Sequence, residues 1–384
     1  MNTSVDALII GAGPFGLAMA AEAGRLGIEY LVAGKPMEFW SANMPAGMLL
    51  RSACDWHLDP TGLDTIEAFL ATQNLTPADV EPISRDFYLS YARWFQARKG
   101  IETLPVYVQR LDRAARNPAR YRATLDDGRT IDARNVVVAV GFKYFKHMPE
   151  ELAHLLPEGR YGHSCEEVDV DAWRGRRCLI VGGRQGAYEW AALMHEAGAA
   201  AVHVSHRHVS PAFRASDWSW VGPMVEAMVE DPGWFRHLSQ TDKDRVSHNL
   251  WAEGRLKIEP WLESRIKVDG ITIWPETQVT RCNVQDDGAL GVSFDTGQTL
   301  SVDRVILASG YKVDVGRVPF LAGSDVLAHL AVRDGYPELD EYFQTNLPGL
   351  FITSLPAGQD FGPFFGFTIS VRTSARLIGQ ALVR

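Results

Sequence analysis

The sequence predicts an α/β protein built from two Rossmann-like dinucleotide-binding units, the second inserted in the first, with a mainly helical insertion. Three observations predict it. An apolar run, Ala7–Ile10, leads into Gly11-Ala12-Gly13-Pro14-Phe15-Gly16 and then an alanine-rich stretch. A second apolar run, Cys178–Val181, leads into Gly182-Gly183-Arg184-Gln185-Gly186-Ala187. Each half is closed by an apolar run ending in a small residue and glycine, at Gly141 and at Gly310. The repeat of strand, glycine turn and helix is far more specific than either copy alone.

In the first copy each glycine has a physical task. Gly11 makes the tight turn, Gly13 lets the backbone approach a pyrophosphate, and Gly16 lets the helix pack close to the strand. The helix start, with Pro14 and Phe15, offers free N–H groups and a partial positive charge to phosphate. Gly24 and Gly27 end that helix, and 28–33 reads as the second parallel strand. A Rossmann unit places an acid at the end of this strand to hold ribose hydroxyls. Gly34 stands there instead, followed by Lys35 and Pro36. The ribose contact then falls to Lys35, to Glu38, or to backbone and water.

Residues 38–52 are rich in Met, Pro and Gly and read as a loop carrying Trp40 and Met48. Residues 65–70 and 87–98 have helical spacing. The second places Phe87, Tyr88, Tyr91, Trp94 and Phe95 on one stripe, which reads as a core face. Segments 106–113, 120–125 and 130–132 read as a meander with a turn at Asp126–Arg129, feeding the buried strand that ends at Gly141.

A linker at 149–161 leads to the second copy. There Arg184 holds the middle glycine position and Ala187 the last small one. Arg184 either obstructs a dinucleotide or adds its guanidinium to the pyrophosphate site. The next strand ends in His206-Arg207-His208, with no acid. A basic residue here suits a ribose 2′-phosphate and favours NADPH over NADH. Residues 210–260 interrupt the pattern and read as a mostly helical insertion. Strands resume after it, and the chain closes with a Gly/Phe-rich loop at 359–367 and a helix at 368–382. The units are expected at 1–160 with 305–384, and at 161–304.

Bulk properties exclude other classes. A net charge of −9 over 384 residues gives no basic excess for nucleic acid. No run is long enough to span a bilayer, and no basic region precedes an apolar one at the start, so a cytoplasmic protein is expected. The four cysteines, Cys54, Cys165, Cys178 and Cys282, form no C-x-x-C pair, which argues against a zinc ribbon or a local redox dithiol. No metal site is expected. Self-association into a homo-oligomer is left open.

Taken together, these residues resemble the class B flavin-dependent monooxygenases, the group of flavin-containing monooxygenases, amino-acid N-hydroxylases and Baeyer–Villiger enzymes. The resemblance covers nearly the whole chain. It rests on Gly11, Gly13 and Gly16; on Trp40 followed by Pro45-Ala46-Gly47; on Gly159, His163 and Trp173 ahead of the second glycine turn; and on Ala308-Ser309-Gly310-Tyr311. Phe361-Gly362-Pro363-Phe364 and the helix with Arg372 and Arg376 complete it. Two departures stand out. Tyr161-Gly162 breaks the linker pattern before His163, and Leu355 replaces the acid that ends a related reductase motif.

The resemblance implies FAD at the first unit and NADPH at the second. It implies a C4a-(hydro)peroxyflavin that oxygenates a small organic substrate at N, S or a carbonyl carbon, with O2 as co-substrate. It also implies cofactor contacts from Gly11, Gly13, Pro14, Phe15, Gly16, Lys35, Trp40, Met48, Gly141, Gly310 and Phe361, and from Gly182, Gly183, Arg184, Gln185, Gly186, His206 and Arg207. Arg51, Asp55, His57, Gln359 and Asp360 are candidates to steady the reacting groups. Two alternatives stay open: an NADPH-dependent flavin disulfide or quinone reductase, and a non-catalytic dinucleotide-binding homologue suggested by Gly34 and Arg184.

Overall fold

The computed structural model describes residues 2–114 and 120–384. Its first sheet contains β1 (Asn2–Ile10), β2 (Tyr30–Ala33), β3 (Thr103–Leu104), β4 (Val108–Arg113), β5 (Tyr121–Leu125) and β6 (Thr130–Val138) in the order β3-β2-β1-β6-β5-β4. The β3-β2-β1-β6 half is parallel. β4, β5 and β6 form the antiparallel meander. Strands covered on both faces read as continuous apolar runs, and Ala7, Leu8 and Ile9 are fully buried. β6 divides its free edge. Its first residues pair with β5, and Val136–Val138 pair in parallel with Leu350–Ile352. The C-terminal part of the chain thus rejoins the first sheet.

Helix α1 (Pro14–Arg25) packs against the C-terminal helix Val371–Leu382. Gly379 permits the approach: a Cβ there would lie 2.8 Å from the Glu22 side chain and 3.0 Å from Leu26 Cδ1.

The second sheet contains β7 (Tyr161–His163), β8 (Arg177–Val181) and β9 (Ala201–His206), joined by Ile271–Pro275 beyond β9 and by Arg304–Leu307 between β8 and β7. All its pairings are parallel. Helix Gln185–Glu196 covers one face. A three-stranded antiparallel sheet over residues 279–302 covers the other, burying Leu290, Val292 and Phe294 against Leu179, Val305 and Leu307.

Three sequence expectations change. The return to the first unit lies after Leu307, not at 305, because Arg304–Leu307 is hydrogen-bonded between β8 and β7. Residues 38–52 are not loop throughout: Glu38–Ala42 is a short helix, started by Met37 in the left-handed region at φ 52°. The closing helix begins at Val371, after a 3₁₀ turn at Thr368–Ser370.

The insertion holds helices Val221–Ala227, Trp234–His237 and Gln240–Arg255. Its neck is tied by parallel pairing of Ala212–Phe213 with Lys257–Ile258. Its apolar side chains, among them Val225, Phe235, Val246 and Leu250, join the core of the first unit rather than the second. Among the described residues no helix is long and apolar enough to cross a membrane.

Replacing Gly379 with Leu would force α1 and the closing helix apart. Overpacking of this kind costs about 1–3 kcal/mol. A fall of several degrees in the thermal midpoint of the variant is the expected result.

Candidate functional site

A cleft with about 930 Å³ of empty volume, its open mouth included, lies at the carboxyl ends of β1, β2 and β6. Ligands in such sheets bind beyond the carboxyl ends of the strands. The first glycine turn makes its floor. Gly11 has φ +112°, and a Cβ there would lie 2.4 Å from the Ala139 carbonyl oxygen. A Cβ on Gly16 would lie 1.8 Å from the Gly11 carbonyl oxygen, so α1 rests directly on the turn. Gly13 has nothing within 4 Å of its would-be Cβ. It is the N-cap of α1, and no side chain caps that helix. An uncapped helix start facing an open cradle is what a pyrophosphate requires, so these residues fit a dinucleotide.

The missing acid has a steric cause. Gly34 has φ +142°, and a Cβ there would lie 3.1 Å from the Ala12 amide nitrogen. No acidic side chain fits without moving the turn. Charge gathers further along the rim instead. Glu38 accepts a hydrogen bond from Lys143 Nζ at 2.6 Å, with Lys35 Nζ at 3.6 Å. The Lys143 ammonium sits 4.0 Å above the Tyr107 ring. Burial pushes the Glu38 carboxyl up, but hydrogen bonds from Lys143 and Tyr107 outweigh it and hold it below the usual range.

The walls are aromatic. Trp40 stacks on Tyr88 at 4.7 Å and 25°. Tyr88 belongs to the buried stripe of helix Arg85–Arg98, together with Tyr91 and Phe95. Phe365, Phe367 and Thr368 line the C-terminal wall. Ser354, also in the lining, is held at φ +67°, where its Oγ accepts from the Gly141 amide at 3.2 Å.

Of the residues expected to touch a cofactor in the first unit, Gly11, Gly13, Pro14, Phe15, Lys35, Trp40 and Gly141 line this cleft. Gly16 lies beneath it. Tyr107, Lys143, Ser354, Phe365 and Thr368 also line it and were not singled out from the sequence.

The second glycine turn is built in the same way. A Cβ on Gly182 would lie 2.5 Å from the Ala308 carbonyl oxygen, and one on Gly183 would lie 2.3 Å from the His206 ring. Gly186 has open space. Arg184 takes the N-cap place of helix Gln185–Glu196, again without a side-chain cap. Its guanidinium reaches the insertion, donating to the Arg255 carbonyl and lying 5.7 Å from the Trp251 ring centre. Gln185 accepts from the Glu259 amide at 3.0 Å, and its buried Nε2 has no partner. His206 is buried, with Nε2 3.1 Å from the Tyr188 hydroxyl and Nδ1 2.7 Å from the His208 carbonyl. Burial holds it below the usual histidine range. Arg207 is exposed.

Residues 43–51 strap the two units together. Asn43 Nδ2 donates to the Cys165 carbonyl at 2.9 Å, and the Leu49 amide donates to Glu189 at 2.6 Å. Arg51 pairs with Glu259 at 2.9 Å and donates to the Gly254 carbonyl at 2.9 Å. Met48 packs against the second core. Burial pushes the Glu189 carboxyl up to about 8. Gly310 also serves this junction, its carbonyl lying 3.0 Å from His163 Nε2.

Asp55 and His57 line a separate cleft with Thr61, Glu226, Arg372 and Arg376. Trp56 stands between the two clefts, its ring 6.2 Å from Trp218 and 6.3 Å from Phe367. Arg372 donates to the Asp55 carbonyl and to Glu226. Gln359 and Asp360 are not among the residues lining the first cleft. Gln359 lies beside Arg333, and Asp360 accepts from the Leu339 amide at 2.8 Å. Phe361 stacks on Phe343 at 3.6 Å within the core. Strand and turn patterns position the glycine sites, but they carry no signal for these long-range pairings.

The chain matches the family model described as pyridine nucleotide-disulphide oxidoreductase over residues 8–233, and a second model of that description over 244–353. It is 28% identical over 135 residues to an FAD-dependent urate hydroxylase of Xanthomonas campestris pv. campestris, a stretch covering 34% of this chain and 28% of that protein. It is also 28% identical over 214 residues to a ferredoxin–NADP reductase of Rhodospirillum rubrum, covering 55% of this chain and 54% of that one. The chain therefore spans about half or less of the length of these curated relatives. Among solved structures, the ornithine N-hydroxylase of Kutzneria sp. 744 superposes with TM-score 0.80 at 16% identity, covering 99% of both chains. The bacillithiol disulfide reductase of Staphylococcus aureus superposes with TM-score 0.66 at 19% identity, covering 99% of this chain and 98% of that one. At these identities the likeness is one of fold.

His57 gives a pH test of the second cleft. Burial and the nearby Arg372 push it down to about 4, with Asp59 opposing. The folded chain therefore keeps it neutral, while the unfolded chain protonates it near 6.5. Stability falls as pH drops through that window, by about 2 kcal/mol between pH 7 and pH 5. His57→Gln removes this contribution, and the thermal midpoint of the variant is expected to fall less over the same range.

Proposed function

Because the chain belongs to the pyridine nucleotide-disulphide oxidoreductase family, we propose that it is an FAD- and NADPH-dependent monooxygenase that oxygenates a small organic substrate at N, S or a carbonyl carbon. The observation that carries this reading is the pair of uncapped helix starts, one at each glycine turn, joined by the strap 43–51. One turn takes FAD and the other takes NADPH. When bound, FAD would supply the redox and oxygen chemistry, with NADPH as the reductant. The chain's own residues bind, orient and exclude water.

In the first unit the amides at the start of α1 hold the pyrophosphate, with Gly13 giving the close approach. Glu38 takes over the ribose contact that Gly34 cannot make, while Lys35 and Lys143 balance its charge. Trp40, fixed by Tyr88, and the Phe365–Thr368 segment hold the ring system and keep the cleft dry. In the second unit Arg207 meets the ribose 2′-phosphate. Gly182 and Gly183 bring the backbone close to the pyrophosphate.

The thiols favour oxygenation over disulfide reduction. Thiol–disulfide exchange needs a thiolate beside the flavin. Among the described residues no cysteine lines the first cleft. Burial pushes the Cys54 and Cys178 thiols up to about 12. The fold likeness to a disulfide reductase keeps reduction as the competing reading.

The test uses the FAD-loaded protein with NADPH, isotope-labelled O2 and a panel of primary amines, thioethers and ketones. Label in one product class is the expected result. Anaerobic transfer of NADPH electrons to a disulfide or quinone, with no label incorporated in air, would sink the proposal. Two variants follow. Arg207→Ala should weaken NADP⁺ binding roughly tenfold or more and leave NAD⁺ nearly unchanged, as loss of a charge-assisted bond to phosphate predicts. Equal losses for both would refute the 2′-phosphate assignment. Glu38→Ala should lower FAD affinity about tenfold in titrations of the apoprotein, and an unaltered affinity would remove Glu38 from the ribose site.

A further inference from the structure

Helix Gln240–Arg255 connects the two units in an unusual way. Its buried residues Val246 and Leu250 belong to the core of the first unit. Its last turn reaches the second glycine turn, where the Arg255 carbonyl accepts a hydrogen bond from the Arg184 guanidinium. Trp251, one turn earlier, is 42% exposed and lies under that same guanidinium. The carbonyl end of a helix attracts a cation, so Arg184 pins the insertion to the N-terminus of helix Gln185–Glu196.

This arrangement gathers positive charge without balancing it. Among the described residues, neither Arg184, Arg207 nor Arg255 has a carboxylate within ion-pair distance. Arg51 stands near Arg255, but Glu259 satisfies it. The arginines act on one another. Burial lowers the Arg184 pKa, and Arg255 and Arg207 lower it further. Burial, then Arg51, does the same to Arg255. Like charges held together raise the energy of the empty site and favour a ligand with several negative charges. The uncapped amides of helix Gln185–Glu196 point to the same ligand class.

We propose that Arg255, carried by the helical insertion and held against the second glycine turn through Arg184, is a phosphate-binding residue of the pyridine-nucleotide site and contacts the pyrophosphate. The insertion then forms one wall of that site, and nucleotide binding bears on a helix rooted in the first unit. This rests on the NADPH reading above. The role differs from that of Arg207. A pyrophosphate contact serves NADP⁺ and NAD⁺ alike, whereas a 2′-phosphate contact serves only NADP⁺.

Calorimetric titration of the FAD-loaded native protein, Arg255→Ala and Arg255→Lys with NADP⁺ and NAD⁺ tests this. Arg255→Ala is expected to weaken both nucleotides by a similar factor, about tenfold, with Arg255→Lys in between. Bound FAD and the thermal midpoint should stay at native levels, since among the described residues the Arg255 side chain makes no hydrogen bond or ion pair and only its carbonyl is engaged. Native affinity in Arg255→Ala would overturn the proposal and leave the NADPH reading standing. A loss confined to NADP⁺ would also overturn it, by moving Arg255 to the 2′-phosphate. If the native protein binds neither nucleotide, the NADPH reading fails and this one fails with it.

Discussion

The first amides of an α-helix have no partners within the helix, and proteins ordinarily satisfy them with a side chain at the cap. Here α1 begins at Gly13 and helix Gln185–Glu196 at Arg184, and neither receives a side-chain cap. Much else is arranged around keeping these two starts open. Gly11 and Gly16 bring strand and helix together so that the first start meets the cleft floor. Gly182 and Gly183 do the same against Ala308 and His206. The strap from Asn43 to Arg51 then fixes the distance between the two openings.

Close packing at the first turn also explains the departure at Gly34. An acid at the end of β2 would need a Cβ 3.1 Å from the Ala12 amide nitrogen. The turn is drawn in tightly enough to displace the charge four residues along the chain. At Glu38 it meets Lys143, which follows the strand closing the sheet, and Lys35. Packing at one position has thus moved the electrostatics of the rim.

The elements that were legible in the sequence are those whose cause is local. The two glycine turns, the parallel strands before them and the aromatic stripe of helix Arg85–Arg98 follow from period, size and backbone freedom. The misplaced boundary at 305 and the loop expected at 38–42 depend instead on pairing and packing partners distant in sequence. Arg304–Leu307 is placed by its bonds to β7 and β8. The site divides in the same way. Glycines reveal a cradle from their spacing, but nothing near Arg51 announces Glu259, 208 residues away. Asp55 and His57 flank Trp56, yet that ring turns to the aromatic wall of the first cleft while they line another.

The cysteines carry one more consequence. Burial raises the pKa of all four thiols, Cys54, Cys165, Cys178 and Cys282. Peroxides oxidise thiolates far faster than thiols. Kept protonated, three of them buried, these thiols react slowly with peroxide.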